Sequence, residues 1–303
     1  MISIKVDEIK YTQIKQHYSP YYVESNGEYV DFVARKEGVI ITGFLSKKQH
    51  KTITFDGANS LTEATLWDSE IKEENKKTTT KEDWVDLSTQ IGSDEVGVGD
   101  FVLPMIVVAS YVKASDIALL KKLGVHDSKK LTDEKILSIG EELIKSIEHS
   151  KLTLSNDKYN EMYQRNENIN SLKAKMHNRA LYNMYSKHPE TVGVYVDQFV
   201  SKTKYYEYLN DENEPQVKEV AFKTKGESYF PSVAVSSVIA RYAFLKEKEK
   251  LEEKYHMTFP FGASTKVNKF AKKFINKFGI DEFNKIAKKN FANYREVVSI
   301  KLI

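Results

Sequence analysis

Residues 91–100 read Ile91-Gly92-Ser93-Asp94-Glu95-Val96-Gly97-Val98-Gly99-Asp100, and the rest of the chain is read outward from them. The first half is a short apolar run suited to a buried strand, and the second is a glycine-rich turn. Asp94 and Glu95 fall at the join. Adjacent strand residues point to opposite faces of a sheet. For both carboxylates to serve one site the strand must end or distort there, which Gly97 and Gly99 make feasible, and Glu95 could also contribute its backbone carbonyl. An exposed acidic turn would carry the same residues, and the segment alone does not separate the two readings. Residues 101–112 are largely apolar and read as the hairpin partner of this strand.

Beyond this hairpin the pattern is α/β. Helical spacing recurs at residues 115–123, 133–149, 157–164, 171–186, 233–255, 265–278 and 281–289, with strands at 191–199 and 218–222. Strands mixed with long helices predict a mixed sheet flanked by helices over residues 87–303. Residues 1–68 read instead as a small α+β unit, with a helix at 8–18, strands at 29–35, 39–45 and 52–55, and a helix at 61–69. Lys36-Glu37-Gly38 makes a hairpin turn in which Gly38 is free to take positive φ. Residues 69–86 connect the two. Most of that stretch is charged and too poor in apolar side chains to form core, so it reads as a linker, with a solvent-facing helix as the alternative.

Composition sets limits. The 303 residues are 41% hydrophobic and 29% charged, as in a soluble globular protein. No apolar run reaches the roughly 20 residues of a membrane span, and the N-terminus lacks a basic-then-apolar secretory pattern, so no membrane association and a cytoplasmic location are expected. Cysteine is absent, which removes disulfides, thiolate catalysis and cysteine-based zinc sites. The net charge of +3 does not by itself announce a nucleic-acid partner. Lys266, Lys269, Lys272, Lys273, Lys277, Lys285, Lys288 and Lys289 interleave with Phe270, Phe274, Phe278 and Phe283. That predicts amphipathic helices with phenylalanines inward and a solvated lysine face, a face that is also compatible with phosphate binding.

Two further acids stand out. Asp197 ends the apolar run Val192-Gly193-Val194-Tyr195-Val196, where a carboxylate is costly unless paired or metal-bound, although a cap would also place it there. Glu227 lies just before the long helix. With Asp94 and Glu95, these could hold two hard divalent cations, Mg²⁺ foremost and Mn²⁺ in its place. Spacing alone does not select four among 43 acidic residues.

A resemblance makes the selection. Residues 91–100 resemble the first motif of the type 2 ribonucleases H, and Asp127-Ser128-Lys129-Lys130-Leu131 resembles the next. Tyr195-Val196-Asp197-Gln198-Phe199 and Gly226-Glu227-Ser228 are similar to the later ones, and the order holds across most of residues 88–260. Within type 2 the chain looks like ribonuclease HIII rather than HII. Gly97-Val98-Gly99 stands where HII usually has Gly-Arg-Gly, Glu227 stands where HII usually has aspartate, and residues 1–68 would supply the HIII N-terminal extension resembling half of the TATA-binding protein fold.

The resemblance implies a ribonuclease H-like catalytic domain at 87–303 and a substrate-binding domain at 1–68. It implies an endonuclease that hydrolyses the RNA strand of RNA/DNA hybrids with two metal ions, leaving 5′-phosphate and 3′-hydroxyl ends, and working as a monomer without an organic cofactor. Asp94, Glu95, Asp197 and Glu227 match the metal-binding acids. Gly97, Val98 and Gly99 match the loop whose backbone meets 2′-hydroxyls. Ser128 and Lys129 match a motif near substrate phosphates, and Asn168, Asn170, Lys173 and His177 match a further HIII segment. Lys173 and His177 are spaced i, i+4 and share a helix face, which a solvated polar stripe would also explain.

Val98 departs from the threonine expected in many HIII enzymes. Phe259-Pro260-Phe261-Gly262-Ala263-Ser264 lacks the tyrosine with which HII senses an RNA–DNA junction, so efficient cutting at a single embedded ribonucleotide is not expected. Two other readings compete. One is a non-catalytic hybrid-binding protein. The other is a nucleotide-phosphate loop at Gly97-Val98-Gly99, which lacks the full glycine and lysine pattern of such loops.

Overall fold

The computed structural model describes residues 2–24, 30–44, 51–57, 59–68, 84–164, 167–210 and 215–298. The chain divides into two compact units, Met1–Lys81 and Glu82–Ile303. Residues 69–83, most of the expected linker, lie outside the described residues.

In the first unit the elements run β1 (Ile2–Val6), α1 (Glu8–His17), β2 (Tyr22–Val23), β3 (Val30–Lys36), β4 (Val39–Phe44), β5 (Lys51–Asp56) and α2 (Ser60–Thr65). The strands form one antiparallel sheet in the order β1-β5-β4-β3-β2. Strand β1 was not anticipated, although Ile2, Ile4 and Val6 alternate with Ser3 and Lys5 in the pattern of a half-buried strand. Between β3 and β4, Glu37 and Gly38 both take positive φ, 47° and 77°, as a tight two-residue hairpin requires.

Cross-strand pairing sorts the residues by face. Ala34, Ile41 and Phe55 pair across the sheet and are buried with Ile14 and Tyr18 of the α1 region and Ala64 of α2. Arg35 pairs with Ile40 and Lys5 with Thr52 on the opposite face, where Lys5, Arg35 and Ile40 are exposed. Beneath the covered face the Tyr18 hydroxyl donates to Glu63 at 2.5 Å, and Lys36 donates to the other Glu63 oxygen at 2.7 Å.

In the second unit β6 (Gln90–Val96) and β7 (Met105–Val112) make the expected hairpin. Then come α3 (Ile117–Leu123), α4 (Asp133–Ser146), β8 (Glu148–Leu154), α5 (Asn156–Gln164), α6 (Ile169–Tyr185), β9 (Gly193–Asp197), α7 (Lys202–Glu207) and β10 (Val220–Lys223). The chain closes with α8 (Pro231–Tyr255), α9 (Thr265–Phe278), α10 (Ile280–Ile286) and α11 (Ala292–Val298). The sheet order is β10-β9-β6-β7-β8, with β6, β9 and β10 parallel and β7 antiparallel to both its neighbours.

Helix α8 covers one face of this mixed sheet and α6 the other. The approach of α8 to β6 is close because position 92 has no side chain. A Cβ on Gly92 would lie 2.3 Å from Ser232 Oγ and 2.6 Å from the Val233 nitrogen. Ser232 donates to Gln90 Oε1 at 2.8 Å and Ser236 to the Gly92 carbonyl at 2.7 Å, so the polar atoms along this buried seam are satisfied.

Three expectations are corrected. The helix expected over residues 133–149 stops at Ser146, because Ile147 is extended and begins the approach to β8. The helix expected over 281–289 stops at Ile286, because Ala287 is extended. Phe270, Phe274 and Phe283 point inward as expected, but Lys288 is not part of a solvated lysine face: it is 0% exposed. Among the described residues no helix is long and apolar enough to cross a membrane.

Candidate active site

Parallel register brings two of the four selected acids together. Ser93 lies opposite Val196 in the β6–β9 ladder, so Asp94 and Asp197 follow side by side at the C-terminal ends of adjacent strands. Both alternate onto the face covered by α8. Asp94 is buried, and its hydrogen bonds come from neutral groups, the Glu95 N–H at 2.7 Å and the Ser237 side chain. Burial, then the negative charges of Glu95 and Asp197, push its carboxyl up to about 7. Asp197 Oδ1 accepts from the Gly226 N–H at 2.8 Å, which ties the turn carrying Glu227 to the end of β9.

Against the expectation that the strand ends or distorts at the two acids, β6 runs on in regular register to Val96, so the Glu95 side chain takes the face opposite Asp94, as strand alternation requires. There it meets α6. Lys173 forms an ion pair with one carboxylate oxygen, and His177 Nε2 lies 2.9 Å from the other. Ser93 Oγ lies 2.8 Å from His177 Nδ1, so the imidazole bridges two residues of the same strand. Burial raises the Glu95 carboxyl, but the His177 hydrogen bond and the Lys173 ammonium outweigh it and hold the group down at about 2. Phe199, two residues beyond Asp197, stacks on His177 at 5.3 Å, and the Lys173 ammonium lies 4.0 Å from its ring centre. The motif around Asp197 therefore supports the partners of Glu95 as well as supplying an acid. Glu227 is buried and forms an ion pair with the half-exposed Lys129.

Among the described residues no group of three or more Asp, Glu or His is drawn together as a ready metal cage. The donor set nevertheless suits a hard divalent cation: two adjacent aspartates, neither of them ion-paired among the described residues, flanked by two glutamates that hold lysines.

The remaining expected positions are spread around this centre. Gly97 is buried with φ +84°, and a Cβ there would lie 2.0 Å from the Pro104 carbonyl oxygen, so only glycine fits. Val98 packs against Met105, Tyr159 and Leu172, while Gly99 is exposed. Ser128 lines a cleft of about 170 Å³ with Glu95, Ser237 and Arg241. Lys173 and His177 are 6% and 0% exposed, so they are not a solvated stripe. The Asn168 side chain caps α6, accepting from the N–H groups of Asn170 and Ser171. Asn170 is partly buried in the first turn of that helix.

Sequence reasoning missed Ser237, Phe199 and Arg241. The signal for Ser237 was present: Ser236-Ser237 interrupts the apolar face of the longest helix, where a hydroxyl needs a partner.

The chain is similar to known proteins over most of its length. A family model described as Ribonuclease HII matches residues 91–294. Ribonuclease HIII of Bacillus cereus is 39% identical over 274 residues, covering 86% of each chain. A crystal structure of Bst-RNase HIII in complex with Mn²⁺ superimposes with a TM-score of 0.69 at 29% identity, covering 99% of this chain and 98% of that one. The Aquifex aeolicus RNase H3 structure, at 20% identity and a TM-score of 0.54 over 95% of this chain and 99% of that one, shares the fold.

Proposed function

Because the chain belongs to the ribonuclease HII family, on its ribonuclease HIII side, and is thus a type 2 ribonuclease H acting on RNA/DNA hybrids, we propose that Asp94, Glu95, Asp197 and Glu227 are its metal-binding acids. The observation that carries the proposal is the register of β6 and β9, which supports a shared site by setting Asp94 beside Asp197 on one face. Two Mg²⁺ ions, with Mn²⁺ able to replace them, would supply activation of a water and neutralisation of the leaving oxyanion. The water oxygen bonds to phosphorus, the P–O3′ bond breaks, and the 3′-oxygen takes a proton, leaving 5′-phosphate and 3′-hydroxyl ends.

The protein's own groups prepare this step. Ser237 and the Glu95 N–H orient the Asp94 carboxylate, and the Gly226 N–H orients Asp197. Lys173 and His177 hold Glu95 ionised at any pH where the enzyme would work, which assigns them a supporting role rather than direct substrate contact. Lys129, half exposed beside Glu227, and Ser128, in the cleft, would meet phosphate oxygens of the RNA strand. The backbone of Gly97, Val98 and Gly99 reads 2′-hydroxyls; Asn168 and Asn170 contribute at the start of α6.

In the same reading residues 1–68 form a hybrid-binding domain, 69–86 a linker and 87–303 the catalytic domain of a cytoplasmic monomer. The exposed sheet face bearing Lys5, Arg35 and Ile40 offers the first domain its nucleic-acid surface. The test is cleavage of a long hybrid by Asp94→Asn and Asp197→Asn in Mg²⁺, with chelator-treated wild type beside them. Losses of about 10³-fold or more are expected, several kcal/mol of transition-state stabilisation. Near wild-type turnover in either variant, or full activity in chelator, would sink the assignment.

A further inference from the structure

Among the described residues Lys288 is the most deeply buried lysine, 0% exposed, while it sits in a segment otherwise rich in solvated lysines. Its ammonium donates to three backbone carbonyls, Gly97 at 2.7 Å, Asp100 at 2.6 Å and Leu103 at 2.7 Å. These bracket the glycine loop from its first residue to its exit into β7. Three convergent carbonyls take three protons, which an ammonium has and a neutral amine lacks. Burial draws the group down to about 7, opposed by the nearby Asp100 carboxylate, and the three carbonyls each accept one proton of the ammonium.

The lysine is itself fixed. Its N–H donates to the Phe101 carbonyl at 3.0 Å. On either side α5 grips the backbone: Asn160 donates to the Ala287 carbonyl at 2.9 Å and accepts from the Lys289 N–H at 2.9 Å. The Tyr159 and Phe291 rings lie 5.7 and 5.9 Å from the ammonium. A helix, an extended segment and a charged side chain thus converge on one loop.

The consequence for the loop follows from peptide planarity. In a trans peptide the C=O and the following N–H point in opposite directions. With the Gly97 carbonyl drawn inward onto Lys288, the Val98 N–H of the same peptide is turned outward, and it takes no hydrogen-bond partner among the described residues.

We propose that Lys288 is a positioning residue for RNA recognition: by holding the Gly97 carbonyl inward, with the Asp100 and Leu103 carbonyls as its other two anchors, it aims the Val98 N–H of the glycine loop at the RNA strand. This rests on the reading that the loop backbone meets 2′-hydroxyls. Lys288 touches neither substrate nor acids; it acts through the loop.

The test compares wild type, Lys288→Met and Asn160→Ala as full chains in Mg²⁺. Substrates are an RNA/DNA hybrid and the same hybrid with single 2′-deoxynucleotides beside a mapped cut position. Wild type should cut the deoxy-substituted position at least about tenfold more slowly, the equivalent of one or two lost hydrogen bonds. Lys288→Met should shrink that penalty to about twofold and raise KM about tenfold, with kcat changed by less than about threefold. Asn160→Ala, which loosens Lys288 without touching the loop, should move the same ratios in the same direction and keeps the test alive if Lys288→Met does not fold. Amide hydrogen exchange of residues 97–103 should quicken in both variants while β6 and β9 stay protected. Unchanged deoxy penalty and unchanged exchange in the folded variants would overturn the assignment of Lys288. A wild type indifferent to the deoxy substitution would remove the loop reading beneath it, and the proposal with it.

Discussion

Replacing Gly97 by alanine should be far more damaging than replacing Gly99, two residues along the same loop. Gly97 has φ +84°, where an L-residue with a Cβ costs roughly 1–2 kcal/mol. Its added methyl would also stand 2.0 Å from the Pro104 oxygen and 2.9 Å from Phe244 Cε2. The first of those is backbone and cannot rotate away, and the Lys288 bond to the Gly97 carbonyl resists a shift of the loop. Overpacking of this kind adds roughly 1–3 kcal/mol, for a total of about 2–5 kcal/mol. At roughly 2–4 °C per kcal/mol for a domain of this size, the Tm of the catalytic unit should fall by roughly 4–20 °C. A Cβ on Gly99 meets nothing within 4 Å, so Gly99→Ala should change stability by less than about 0.5 kcal/mol. Thermal melts by circular dichroism give stability, and steady-state cleavage of a hybrid gives KM and kcat. The reasoning fails if Gly97→Ala melts with wild type and keeps its KM, or if the two alanines are equally harmful.

Two further outcomes follow from the first unit. Burial raises the Glu63 carboxyl, but hydrogen bonds from Lys36 and Tyr18 outweigh it and hold its pKa below the ordinary value. The unfolded chain therefore takes up the proton first, and the stability this group contributes is present above about 4.5 and lost as pH falls below it. Glu63→Gln should lower the urea midpoint at pH 6 by the equivalent of about 1–3 kcal/mol and narrow the gap between pH 6 and pH 3, read through Trp67 in a Trp84→Phe background; an unnarrowed gap would refute it. Charge reversal at the exposed pair Lys5→Glu and Arg35→Glu should raise KM for hybrid about fivefold or more and reduce the salt dependence of binding by about two phosphate contacts, with kcat little changed. An unaltered salt slope would take that sheet face out of substrate binding.

The sequence announced the architecture wherever periodicity and punctuation agreed. The β6–β7 hairpin, the long α8 and the Glu37-Gly38 turn carry unambiguous apolar runs or a backbone demand that glycine meets. Strand β8 was hidden because Glu148-His149-Ser150 follows α4 without glycine or proline, and only the extended Ile147 marks the change. The adjacency of Asp94 and Glu95 was legible, including the alternation that separates them, but their partners were not. Lys173 and His177 could have faced water equally well at their helical spacing, and only the packing of α6 on the sheet turns them to Glu95. Lys288 was misread for a related reason. One lysine among several looks solvated until the extended residue before it rotates it inward, and no local pattern encodes three carbonyls contributed from almost two hundred residues earlier.

The bare backbone at position 92 sets a limit on how this protein can change. Helix α8 rests on that glycine, and the residue after next along the strand is Asp94, held in turn by Ser237 of the same helix. Any substituent at 92 must lift the helix from the strand, and the lift reaches the carboxylate within two residues. Drift at this position would be felt as a displaced acid before it was felt as a weaker fold. A library randomised at residue 92 and sorted for cleavage should return glycine even where sorting for solubility or expression tolerates alanine or serine.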